Sequence, residues 1–109
     1  MTAGGRWTAR DRGGREIYLT NERWEHIIDP YNHPEMSAYE EQLKETIQSG
    51  TREQDPLNPL KYRYVRAFGG LAEDNTHIVA IVLFRFSKDE VGNLLPNNYI
   101  VTAYQKTIR

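Results

Sequence analysis

Apolar and polar positions alternate along the C-terminal half of the chain and recur with helical spacing in the first half. His77 to Phe86 is a β-branched, almost continuously apolar run, the pattern of a central strand covered on both faces. Lys61 to Phe68 alternates and is broken by Gly69-Gly70, and Asn98 to Thr107 reads as a last strand. Thr51 to Gln54 fits a short strand, and Ser87 to Asn97, with Gly92 and Pro96, fits a polar loop. Earlier, Trp24, Ile27 and Ile28 fall at i, i+3 and i+4 after Thr20, a residue suited to capping a helix. Asp29-Pro30 ends that helix, because the residue before proline avoids helical backbone. Pro34 suits the first turn of a second helix, and Ser37 to Glu40 has the form of a capping box. Tyr39, Leu43 and Ile47 give its buried stripe, and Gly50 stops it.

At the N-terminus Gly13-Gly14 separates two short strand-like stretches, Trp7–Arg10 and Arg15–Leu19. They read as a hairpin, or as a strand with residues 1–14 forming a loose arm. The fold class expected is α+β: two N-terminal helices on a mainly antiparallel four- to five-stranded sheet, in a single domain over residues 1–109.

Composition removes several chemistries. The chain has no cysteine, so disulfides, thiol catalysis and cysteine-ligated zinc are excluded. The N-terminus has no apolar signal region, and the run Ile78 to Phe84 is too short to span a bilayer, so a cytoplasmic protein without a membrane partner is expected. Net charge is −1, which disfavours a strong non-specific nucleic-acid binder. The charge is segregated, however. The first fifteen residues and the last half are basic, and the helical middle is acidic. A local cationic groove is compatible with that pattern. His26 and His33 are separated by seven positions and a proline, without a zinc-protease spacing, and no phosphate-cradling glycine loop is present. No metal and no cofactor is expected.

Alternation sets candidate faces. On the last strand Ile100, Thr102, Tyr104 and Lys106 are expected to share one face, opposite Tyr99, Val101 and Ala103. On the arginine-bearing strand Tyr62, Tyr64, Arg66 and Phe68 lie opposite Lys61, Arg63 and Val65. Of the two arginines, Arg63 lies in the stronger cationic field, because Lys61 shares its face, while Arg66 sits among aromatics. His77 opens a strand after a turn and reads as structural or exposed.

The ordered set "LTNERWEHIIDPYNHPEM", "YRYVRAF" and "YIVTAYQK" resembles the phage and bacterial branch of the barnase–EndoU–colicin–RelE nuclease group. The resemblance runs over residues 15 to 107. It rests on a Trp-x-His-Ile helix, a His-Pro-Glu step, an arginine-bearing strand and a terminal Thr-Ala-Tyr strand. Asn32 stands where such proteins often carry a basic residue, and Val101 where isoleucine is usual. The resemblance implies a metal-independent endoribonuclease, often the toxin of a toxin–antitoxin pair. It acts on messenger, transfer or ribosome-associated RNA, through a 2′,3′-cyclic phosphate, and is held by a cognate antitoxin protein. It also implies His26 as the general acid or base and Arg63 or Arg66 on phosphate. Thr102 and Tyr104 would line the site, and His33, Lys61 and Lys106 would contact substrate. Histidine titrates near neutrality and arginine matches phosphate oxygens, so the residue types suit metal-free RNA cleavage. The alternative is a catalytically silent protein- or RNA-binding module of the same fold.

Overall fold

The computed structural model describes residues 5–108; the first four residues of the expected N-terminal arm lie outside them. The fold is α+β. Its elements are β1 (Gly5–Arg10), β2 (Glu16–Thr20), α1 (Asn21–Ile28), a 3-10 helix (Pro34–Ala38), α2 (Glu40–Ser49), β3 (Thr51–Gln54), β4 (Lys61–Ala67), a short 3-10 turn (Ala72–Asp74), β5 (His77–Lys88) and β6 (Leu94–Lys106). The strands form one sheet in the order β1-β2-β6-β5-β4-β3. All neighbours are antiparallel except β2 and β6, which pair in parallel at Tyr18 and Tyr99.

The sheet therefore has six strands among the described residues, rather than four or five. The N-terminal hairpin is part of it, because Ile17 and Leu19 are fully buried and need the sheet beside them. Its turn is shaped by Asp11, whose Oδ1 accepts from the backbone N–H groups of Gly13 and Arg15 at 2.9 Å each, and by Gly14 at φ 79°.

Both helices begin and end for local reasons. The Thr20 hydroxyl accepts from the Arg23 N–H at 3.0 Å and caps α1, which buries Trp24 and Ile27. Asp29, before Pro30, has ψ 140° and ends it. The second helix differs from expectation. Pro34–Ala38 is a separate 3-10 segment, and α2 starts only at Glu40, with no side-chain cap from Ser37. Tyr39 is the break: its backbone is non-helical and its hydroxyl donates to the Gly70 carbonyl at 2.9 Å. Leu43 and Ile47 are buried, as the stripe predicts, together with Thr46, whose hydroxyl bonds back to the Gln42 carbonyl. Gly50 follows because a Cβ there would collide with the carbonyls of Thr46 and Val65.

The expected loop at Ser87–Asn97 is mostly strand. β5 and β6 continue as a two-stranded ribbon, paired as far as Lys88 and Leu94. A tight turn closes it, with Asp89 accepting from the N–H groups of Val91 and Asn93 and Gly92 at φ 88°. The ribbon has no core to cover, so its residues lack apolar alternation and read as loop.

A bulge on β6 corrects the predicted faces. Ile81 pairs with Thr102 but Val82 pairs with Ile100, which leaves Val101 without a partner. Ile100 and Ala103 consequently both point into the core beneath the helices, and both are fully buried. Thr102, Tyr104 and Lys106 occupy the other face without Ile100.

Candidate functional site

The helices cover one face of the sheet, and the opposite face is open. On β4 the helix side carries Tyr62, Tyr64 and Arg66, and the open side carries Lys61, Arg63 and Val65, as alternation predicts. Arg66 is held at the helix layer by an ion pair with Glu45 of α2 at 2.6 Å and lies over the Phe68 ring. The open face is built in cross-strand rows. Arg63, Ile81 and Thr102 form one, Val65, Val79 and Tyr104 the next, and Ala67, His77 and Lys106 the last. Successive rows lie about 6.6 Å apart, two residues along a strand.

Two grooves run along this face and share Glu53 and Arg63. One, of about 720 Å³, continues past Val65 to His77 and Lys106, with Arg66 at its rim. The other, of about 410 Å³, holds Lys61, Ile81 and Tyr104. Arg63 is thus the hinge of a continuous surface. Its guanidinium donates to Glu53 across the strand pair at 2.8 Å, and that bond raises its pKa above the ordinary arginine value. Lys61 lies 3.7 Å from Asp55. A third groove, of about 760 Å³, lies apart, between the β1–β2 hairpin and the base of the ribbon, and contains none of the expected site residues.

His33 reaches the open face from the helical side. β2 ends near the middle of β6, so α1 and the 3-10 helix flank the exposed edge of β6 beyond that point. The His33 ring packs on Tyr104, with centroids 5.6 Å apart. Its Nδ1 lies 3.4 Å from the Glu35 carboxylate. The intervening Pro34 starts the 3-10 turn that brings Glu35 back beside His33. The two are not hydrogen-bonded at this distance, but a proton on Nδ1 would face the carboxylate and leave Nε2 as acceptor.

His26 is exposed and lines none of these grooves. It is turned by roughly 100° from Glu25 around α1. Glu25 is close enough to Arg6, which pairs with Glu40 of α2, to help raise that arginine's pKa. His26 therefore sits on the flank of α1 away from α2. The structure brings Arg63, Lys61, Thr102, Tyr104, Lys106 and His33 to one face. It holds Arg66 at the rim and leaves His26 outside. Sequence reasoning passed over His77, whose alternation with Val79 and Ile81 puts it on that face opposite Lys106. It also passed over Arg12, at the hairpin tip, which lines the larger groove.

Among the described residues no three His, Asp or Glu side chains gather as a metal site would require, and no helix is long and apolar enough to cross a membrane. No family model, no curated protein and no solved structure matches the chain.

Proposed function

We propose that the open sheet face binds single-stranded RNA and cleaves it without a metal ion. The observation that carries this reading is His33, beside Glu35 and packed on Tyr104, next to the groove that Tyr104 shares with Arg63. In this reading His33 Nε2 takes the proton of a ribose 2′-hydroxyl. The 2′-oxygen bonds to phosphorus, and the Arg63 guanidinium holds the charge on the non-bridging oxygens. The bond from phosphorus to the 5′-oxygen breaks, and that oxygen takes a proton from the Tyr104 hydroxyl, which has no hydrogen-bond partner among the described residues. Solvent returns the proton from His33 to Tyr104. The products are a 2′,3′-cyclic phosphate and a 5′-hydroxyl. Thr102 and Lys61 border the reacting group, and His26 takes no step.

The resemblance of the sequence to toxin nucleases extends the proposal. The chain acts as a toxin, and an antitoxin protein neutralises it. Induced expression is expected to arrest growth and to leave cyclic-phosphate RNA ends, captured by a ligase that accepts them, and Arg63→Ala is expected to abolish both. Cleavage abolished by a chelator and restored by a divalent ion would overturn the metal-free mechanism.

One observation favours the silent binding module. The β5–β6 ribbon exposes Phe86, Val91 and Leu94, with exposures of 66%, 80% and 63%, a surface better suited to protein than to RNA. A stable protein that neither arrests growth nor cleaves RNA would support that module.

A further inference from the structure

The 720 Å³ groove of the open face contains cations of two kinds. Arg63 and Arg66 are each spoken for by a glutamate, Glu53 and Glu45. At the far end the situation differs. Lys106 lines the groove there and has no acidic partner within ion-pair distance among the described residues. His77 pairs directly with Lys106 across β5 and β6.

The His77 ring is oriented from behind. Thr76 Oγ1 lies 2.6 Å from His77 Nδ1 and accepts from the Ile108 N–H at 2.9 Å. The hydroxyl keeps a second lone pair, so it either donates to Nδ1, which puts the neutral ring's proton on Nε2, or accepts from Nδ1–H and donates to the Lys106 or Ile108 carbonyl at 3.4 Å. Charged His77 carries a proton on Nε2 whichever of these the neutral ring adopts, and offers it to an anion in the groove.

Two strands meet here, β5 with His77 and β6 with Lys106. We infer that His77 and Lys106 form a second phosphate subsite, for a backbone phosphate of single-stranded RNA away from the cleaved bond. The inference rests on the proposed RNA-cleaving face. His77 and Lys106 lie two rows from Arg63, about 13 Å along the strands. That is more than one nucleotide, so the bound strand is at least about four nucleotides long, the low end for sheet-based single-strand binders.

The test compares kcat/KM for a dinucleotide and a hexanucleotide RNA in the wild type, in the double variant His77→Ala/Lys106→Ala, and in Lys106→Ala. The wild type is expected to prefer the hexanucleotide, and the double variant to lower that preference about tenfold and to flatten its salt dependence. Lys106→Ala, at an exposed position, should lower it in the same direction. An unchanged length preference in both variants would overturn the subsite while leaving the cleavage reading intact. If the wild type cleaves neither RNA, the cleavage reading fails. The subsite is then judged by binding of a hexanucleotide of 2′-deoxy residues. Weaker binding by both variants supports it, and equal binding, or none by the wild type, overturns it.

Discussion

The Tyr64 hydroxyl donates a 2.6 Å hydrogen bond to the carboxylate of Asp11, 53 residues earlier in the chain. Asp11 follows β1, at one edge of the sheet, and Tyr64 belongs to β4, next to the other edge. The bond curls the sheet around α2, which contacts β1, β4 and β5. Arg15 donates to the same carboxylate oxygen at 3.0 Å, and Arg52 of β3 donates to the Tyr64 oxygen at 3.1 Å while lying over the Tyr62 ring. The Asp11 side chain is 2% exposed, so this network works in a poorly hydrated setting.

Tyr64→Phe should therefore destabilise the protein by about 1.5–3 kcal/mol, the range for a hydrogen bond to a charged group. Urea unfolding followed by far-ultraviolet circular dichroism measures it. A change under about 0.5 kcal/mol would show that the closure contributes little to stability.

The same pair sets an acid dependence. Burial alone would raise the Asp11 pKa, but hydrogen bonds from Tyr64 and Arg15 outweigh it and hold the carboxyl below the ordinary aspartate value. A group with a depressed folded-state pKa adds stability above its unfolded value, about 3.9, and that stability is lost as pH falls through the lower folded value. In Tyr64→Phe one lowering contact is gone, so the Asp11 contribution should disappear at higher pH. The wild type has more of this contribution to lose, so acid titrations of unfolding free energy for the two proteins, separated at neutral pH, are expected to converge below about pH 5. Parallel curves would contradict the assignment.

If Arg63 holds phosphate as proposed, Glu53, its ion-pair partner, competes for it. Its side chain is 67% exposed, so the ion pair is screened and easily exchanged. Glu53→Gln frees the guanidinium and removes a negative charge from the groove. A two- to fivefold gain in RNA affinity is expected, corresponding to about 0.4–1 kcal/mol. Fluorescence anisotropy with a labelled oligonucleotide at fixed salt checks it, and weaker binding would place the RNA elsewhere.

Much of the helical half was legible because its signals are local. Thr20 caps α1, Asp29-Pro30 ends it, and Leu43 and Ile47 mark the buried side of α2. The division of β4 into a Tyr64 side and an Arg63 side was also legible, since alternation there is unbroken. The β6 faces were not. A bulge adds one residue without any sequence mark, and a β-branched valine at 101 looks like ordinary strand. Tyr39 ended one helical segment through a tertiary bond to Gly70, which local spacing does not encode. Among the site residues, alternation put Arg63 with Lys61 and Tyr104 with Thr102 and Lys106, each on its own strand, but their shared groove depends on the β4-β5-β6 pairing, which alternation within a strand does not encode.

The bulge gives a prediction of its own. Deleting Val101 removes the extra residue and forces a one-position shift on one side of it. Either Ile100 leaves the core or Thr102, Tyr104 and Lys106 rotate into it. The deletion variant is expected to lose its cooperative thermal transition. Val101→Ala, which keeps the residue count, should retain it. A deletion variant that melts like the wild type would mean that the bulge does not fix the face.

The most direct measurement is sequencing of RNA ends after induction of the wild type, His33→Ala and His26→Ala. The expected result is cyclic-phosphate ends in the wild type and in His26→Ala, and their loss in His33→Ala at equal protein level. Cleavage that survives in His33→Ala and disappears in His26→Ala would move the chemistry from the sheet edge to α1 and contradict the account.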